Sequence, residues 1–305
     1  MNPKNKLNGF LVIDKPYEMG STQVVSVLKH FLHPIKIGHA GTLDPLATGV
    51  LPIAFGKATR LIPYVMAGKK TYQFRIKWGV ETDSDDLAGK EIATSGKIPT
   101  QNEIKSILPK FVGEIMQTPS VFSAIKVNGK RAYDLAREGQ HVQIKARPIT
   151  IYDLKVLEIQ SDNALFEVRC SKGTYVRTLA HDIAHALGTL GVVTTLRRTA
   201  CLPFDLSEAI SVDDIKSEKI TIQNLSLIPM ESVLQNIPII IFSKTEISRL
   251  SQGQRLSLSK LENTTNSHQD SIYCAKVENK ICGLIRLSNS IISPELIWLD
   301  STSCF

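Results

Sequence analysis

Three glycines frame a single carboxylate in the stretch Gly38-His39-Ala40-Gly41-Thr42-Leu43-Asp44-Pro45-Leu46-Ala47-Thr48-Gly49. Glycine reaches backbone angles closed to other residues, and Pro45 drives Asp44 toward an extended conformation. Such a loop can aim one acidic side chain and still leave room for a ligand. Asp-Pro is also a common turn initiator, and on local chemistry alone that is the commoner reading of Asp44.

The flanking patterns set this loop in an α+β chain. Residues 9–13 form an apolar run that reads as a strand, and Ser21 reads as the N-cap of a helix bearing Val24, Val27, Leu28 and Phe31. A further strand over 50–55 leaves the aspartate loop. Tyr72, Phe74, Ile76 and Trp78 alternate with polar residues and so share one strand face, with Tyr72 at the end where a ring can border a cleft. Residues 150–159 and 164–171 read as two strands joined by a turn at Ser161-Asp162-Asn163. The spacing of Val176, Leu179, Ala180, Ile183, Ala184 and Leu187 predicts a helix. Strands and helices without a βαβ rhythm imply a mostly antiparallel sheet. Pro229 and Pro238 bracket a linker-like break at 225–240. The β-rich runs 272–277, 281–287 and 296–299 follow it, with a polar loop over 257–271.

Charge sharpens the division. The chain of 305 residues has a formal net charge of +7, but residues 231–305 hold seven basic and seven acidic residues. Residues 1–230 therefore carry all of the excess. Within 121–147, Lys126, Lys130, Arg131, Arg137, Lys145 and Arg147 face only Asp134 and Glu138. Asn128-Gly129 reads as a tight turn between apolar-alternating arms, which puts this charge on a projecting hairpin suited to a polyanion. The polar start Met-Asn-Pro-Lys-Asn-Lys and the lack of a long apolar run argue against a signal peptide or membrane span. Five cysteines without CxxC spacing suit a reduced, cytoplasmic protein.

The loop GHAGTLDPLATGVLP closely resembles the nucleophile loop of bacterial tRNA pseudouridine synthases of the TruB type. The resemblance continues through Asp14-Lys15-Pro16, Lys70-Thr71-Tyr72, Thr82-Asp83-Ser84-Asp85-Asp86 and Gln117-Thr118-Pro119. It extends to the segments 123–130, 173–179 and 196–199, in family order and over most of the chain. Ala40 stands where the family usually has threonine, and Ser120 where a second proline is usual.

The family likeness implies a pseudouridine-synthase fold: a central, mostly antiparallel mixed sheet flanked by helices, plus a small C-terminal β-rich PUA-like domain. Residues 1–230 would be catalytic, with a basic RNA-gripping insertion at about 117–148, and 231–305 would be the RNA-binding module. Its near-zero charge argues against a dominant RNA role there. The implied reaction converts uridine 55 in the tRNA T-loop to pseudouridine. It detaches uracil at nitrogen 1, turns it and reattaches it at carbon 5, without redox change or cofactor.

Asp44 would be the nucleophile, attacking either carbon 6 of the base or carbon 1′ of the ribose. Arg177 would hold it ionised and aimed. Tyr72 would stack on the flipped uracil and assist proton removal at carbon 5. Tyr175 and Leu196 would wall the base pocket, His39 would fill the gap left by the flipped base, and Lys15 would support the loop or touch phosphate. Lys126, Lys130 and Arg131 would grip the RNA backbone. The implied partner is the tRNA T-stem-loop, with no membrane and no obligatory protein partner, and the chain is expected to act as a monomer.

Competing chemistries find less support. Six residues separate Gly49 from Gly56-Lys57 where a phosphate loop needs four, and Ala58 replaces the required Ser/Thr. His181 and His185 lie one helical turn apart, the spacing of a zinc pair, but no third ligand is evident in the sequence, so no metal is expected. The alternative function is a non-catalytic tRNA-binding or folding protein using the same cleft. Asp44, Tyr72 and Arg177 together favour the enzyme, because pure binding of a polyanion has no use for that carboxylate. A guide-RNA-dependent relative is disfavoured by the bacterial wording of the motifs and the short C-terminal module.

Overall fold

The computed structural model describes residues 4–120, 144–258 and 271–298, and, between 121 and 143, residues 122, 125–127, 129–132 and 135. Strands are β1 (Gly9–Lys15), β2 (Ile37–His39), β3 (Ala47–Phe55), β4 (Lys70–Trp78), β5 (Val80–Thr82), β6 (Glu91–Thr94) and β7 (Gly113–Gln117). Then come β8 (Lys126–Val127), β9 (Lys130–Arg131), β10 (Arg147–Ile159), β11 (Asn163–Cys170), β12 (Gly191–Cys201), β13 (Phe204–Asp205) and β14 (Ala209–Ser211). The C-terminal part contributes β15 (Ile239–Ile241), β16 (Leu256–Ser257), β17 (Ser271–Val277), β18 (Lys280–Ser288) and β19 (Ile291–Ile297).

The main sheet runs β14-β1-β3-β12-β4-β11-β10-β7, with β2 on β3 and β13 on β12. Only β1–β14 and β3–β12 are parallel pairs, so the sheet is mixed and mostly antiparallel. A second sheet, β15-β17-β18-β19-β16, forms the C-terminal β-rich domain.

The continuous apolar runs in β1 and β3 follow from burial on both faces. Leu11, Ile13, Leu51 and Ile53 pack with Val24, Leu28 and Leu32 of the helix Ser21–Leu32. Phe10, Val12, Val50 and Ala54 face the other way, in one cluster with Phe204 and with Cys274 and Leu284 of the second sheet. The strand β4 alternates as its sequence predicts. Phe74, Ile76 and Trp78 are buried with Phe166 of β11 and with Leu179 and Ile183 of the helix Val176–Ala186. Phe74 stacks on Phe166 at 5.4 Å between ring centres, a cross-strand aromatic pair.

Some local expectations shift. The N-cap is Gly20, not Ser21: Gly20 N donates to Gln23 Oε1 at 2.6 Å, and Ser21 is the first helical residue. The expected hairpin is present: Lys126 pairs with Arg131 and Val127 with Lys130. Asn128 and Arg137 lie outside the described residues, as do the side chains of Lys126 and Arg131 and most of the polar loop 257–271. The last strand begins earlier than the run 296–299 implied, at Ile291. No helix among the described residues is long and apolar enough to cross a membrane. Cys170, Cys201, Cys274 and Cys282 are all buried.

Candidate active site

Asp44 leaves the loop ahead of β3, where its carbonyl accepts from Ala47 N at 3.1 Å and closes a turn. The turn and the directed carboxylate are thus one structure. Ser21 anchors the loop from the neighbouring helix: its hydroxyl accepts from Leu43 N at 2.9 Å and donates to Leu43 O at 3.0 Å. Lys15 braces it from below, donating to the carbonyls of Pro16, Met19 and Pro45 at 2.8, 2.6 and 3.0 Å. Its side chain is fully buried and its three donors are engaged, which leaves it supporting the loop with none to offer a phosphate. Burial pulls the Lys15 ammonium down to about 8, against the opposing pull of Asp44. Replacing Lys15 with Met strands three carbonyls and should lower unfolding stability by roughly 1–3 kcal/mol. Urea melts of parent and variant test this; equal midpoints and slopes would mean the brace contributes nothing.

Two of the three framing glycines need their freedom. Gly41 has φ +112° and Gly49 φ +99°. A side chain at Gly49 would place Cβ 2.2 Å from the carbonyl oxygen of Arg198, where β3 and β12 lie side by side in register.

Arg177 is the electrostatic centre. Its Nε lies 3.0 Å from Asp44 Oδ2, with the Arg177 side chain 7% exposed and that of Asp44 42%. The guanidinium also donates to Ser84 O at 2.7 Å and Phe122 O at 3.0 Å, and sits 3.4 Å from Asp86 Oδ2. Asp86 is itself fixed, accepting from Ser84 Oγ at 2.6 Å and Ala88 N at 3.0 Å. A buried cation with all three of its nitrogens engaged can hold an accessible carboxylate in one orientation.

The cleft beside Asp44 has a volume of about 770 Å³ and is lined by Tyr72, Lys70, Arg147, Tyr175, Leu196 and Arg198 among others. Tyr72 is half-buried at the start of β4. Burial pushes its phenol up to about 12, opposed by the cation of the nearby Arg198. At neutral pH the ring therefore keeps its proton. The main chain of Tyr175 is stapled by Gln117, which accepts from Tyr175 N at 2.8 Å and donates to Tyr175 O at 3.1 Å. The Arg147 guanidinium lies 5.3 Å from the Tyr175 ring centre.

The fold thus brings Asp44, Tyr72, Tyr175, Arg177 and Leu196 together. His39 does not line the cleft. It ends β2, with Nδ1 buried and lacking a hydrogen-bond partner among the described residues. Burial, then the Arg198 cation, holds its pKa below the usual histidine range. Lys130 is exposed on the hairpin.

Sequence reasoning missed Arg198 and Asp86 as site residues, although both fall in quoted motifs. Arg198 is 1% exposed and donates to Val50 O at 2.7 Å and Gly41 O at 3.1 Å. Its neighbour Arg197 points the other way and pairs with Asp14 through both nitrogens, at 3.0 and 2.7 Å. Period-2 alternation in β12 was the available signal: two adjacent arginines cannot serve the same face.

This constellation coincides with a family. The model for the N-terminal domain of TruB family pseudouridylate synthases matches residues 29–176, and that for the tRNA pseudouridylate synthase B C-terminal domain matches 177–235. The chain belongs to the TruB family of pseudouridylate synthases. Among its TruB relatives, the tRNA pseudouridine synthase B of Bradyrhizobium diazoefficiens is 41% identical over 97% of this chain and 87% of its own. That of Rhodospirillum rubrum is 44% identical over 94% and 95%. A chain in the crystal structure of a Cbf5-Nop10-Gar1 complex superposes with a TM-score of 0.74 at 25% identity, covering 97% of this chain and 86% of that one.

Proposed function

We propose that this chain isomerises uridine 55 in the T-loop of tRNA to pseudouridine, with Asp44 as nucleophile. The observation that carries the reading is an accessible Asp44 carboxylate held 3.0 Å from a buried Arg177 guanidinium beside an aromatic-walled cleft. The target base must leave its stack to reach Asp44. Stacking on Tyr72 and Tyr175 can return about 1–3 kcal/mol per base–aromatic contact. Asp44 then attacks carbon 6 or carbon 1′, the glycosidic bond breaks, and the base turns within the walls set by Tyr72, Tyr175 and Leu196. Closure joins carbon 5 to carbon 1′, and the bond to Asp44 breaks and frees its carboxylate. Carbon 5 loses its proton and nitrogen 1 gains one; the Tyr72 phenol is the candidate relay for the carbon 5 proton. In this reading the protein works in the cytoplasm as a monomer, without a cofactor or obligatory protein partner, and residues 231–305 form a separate PUA-like module.

Incubating the purified chain with an unmodified tRNA transcript, then mapping carbodiimide adducts by reverse transcription, tests the function. A stop reporting pseudouridine at position 55 is expected. Faster tRNA folding with no such stop would favour the non-catalytic reading.

Lys126, Lys130 and Arg131 supply backbone contacts in this scheme. Replacing all three with alanine should flatten the log–log salt dependence of tRNA binding by about 2 to 3 units. The rate at saturating tRNA should change far less. Filter binding across a salt series, paired with single-turnover rates, checks both; an unchanged slope would reduce the hairpin to a solvated surface.

A further inference from the structure

His181 and His185 lie on the helix Val176–Ala186, whose first turn carries Arg177. Their rings stack at 4.0 Å between centres, and both Nε2 atoms turn to one carboxylate, Glu81 of β5. His185 Nε2 is 2.9 Å from Glu81 Oε2, and His181 Nε2 is 3.7 Å from Glu81 Oε1. The sequence shows no third ligand because Glu81 lies 104 residues before His185. The fold supplies it.

We propose that Glu81, His181 and His185 form a binding site for one transition-metal dication, zinc by its donor set, at a place separate from the Asp44 cleft. One ligand atom from each residue lies within 4.8 Å of the others. The two N···O distances bracket the roughly 3.3 Å edge that a tetrahedral ion with 2.0–2.1 Å bonds requires. His181 carries the outer carboxylate that metal-bound histidines typically have: Asp182 Oδ1 lies 3.3 Å from its Nδ1, which leaves Nε2 free to ligate. The Glu81 side chain is 16% exposed while those of His181 and His185 are 31% and 46% exposed, so an ion can enter from solvent and keep water in the fourth position.

Bound metal would tie β5 to the helix. The segment after Glu81 supplies Ser84 O and Asp86 to Arg177, and the helix supplies Arg177 itself. The ion would therefore clamp two supports of the catalytic arginine without touching substrate. Its effect is on durability, and metal-free enzyme should turn over normally at low temperature.

The test is calorimetric titration of Zn²⁺ into the untagged, chelator-stripped full chain, repeated with Glu81→Gln and His185→Ala. The parent should bind one Zn²⁺ in the micromolar range, and each variant at least about tenfold more weakly. Thermal melting of the parent should rise by a few degrees in excess Zn²⁺, and melting of the variants should not. Co²⁺ should give visible d–d bands with the parent that are absent from the variants. Melting in chelator, equal for all three proteins, establishes that the variants fold. No saturable binding by the parent would overturn the proposal, as would Zn²⁺ affinity unchanged by both substitutions, which would move the metal elsewhere.

Discussion

Asp44→Asn should lower the single-turnover rate at least about a hundredfold, roughly 2.7 kcal/mol in the barrier, while tRNA affinity stays within about tenfold. The amide keeps the shape of the side chain but is a far poorer nucleophile. The surroundings should hold, because Arg177 retains Ser84 O, Phe122 O and Asp86 when Asp44 loses its charge. Single-turnover pseudouridine formation and filter binding measure the two quantities. Residual turnover above a few per cent of the parent would remove Asp44 from the nucleophile role. A matching loss of affinity would mean that the substitution disturbs the cleft itself.

Tyr72→Phe should cost about 10²- to 10⁴-fold in turnover, the range for losing a positioned proton-transfer group, with binding nearly unchanged. The ring that stacks on the base remains, while the phenol hydroxyl is lost. The Tyr72 phenol, pushed up to about 12, stays protonated through the physiological range. A relay through it therefore requires its own proton to move as the carbon 5 proton arrives. Rapid quenching should catch the block after glycosidic cleavage and before product release. Near-normal single-turnover rates would leave Tyr72 as a stacking surface only.

Much of the fold can be read from periodicity because the informative patterns are local. Alternation in β4, the apolar stripe of the helix Val176–Ala186 and the turn dipeptide between β8 and β9 each involve neighbours in sequence. The site is legible mainly through family likeness, since its contacts span long separations. The Arg177 guanidinium reaches Ser84 across 93 residues and Phe122 across 55. Nothing in the spacing of those residues shows their meeting; the order β1-β3-β12-β4 and the packing of the helix on it decide that. Ser21 illustrates the same limit. Its position suits a cap, but the Asp44 loop passes close enough for its hydroxyl to bond Leu43 instead. In sequence Lys15 reads equally as a loop support or a phosphate ligand, because lysine is usually exposed. Only the fold reveals three carbonyls converging on it.

Tritium release from tRNA labelled at carbon 5 of uridine, using the purified chain alone, tests most directly whether this cleft performs the isomerisation. Forming a bond at carbon 5 must expel the hydrogen there. The parent should release one tritium per pseudouridine formed, and Asp44→Asn should release almost none. Background-level release by the parent, or release that survives loss of the Asp44 carboxylate, would contradict the assignment of this chemistry to Asp44.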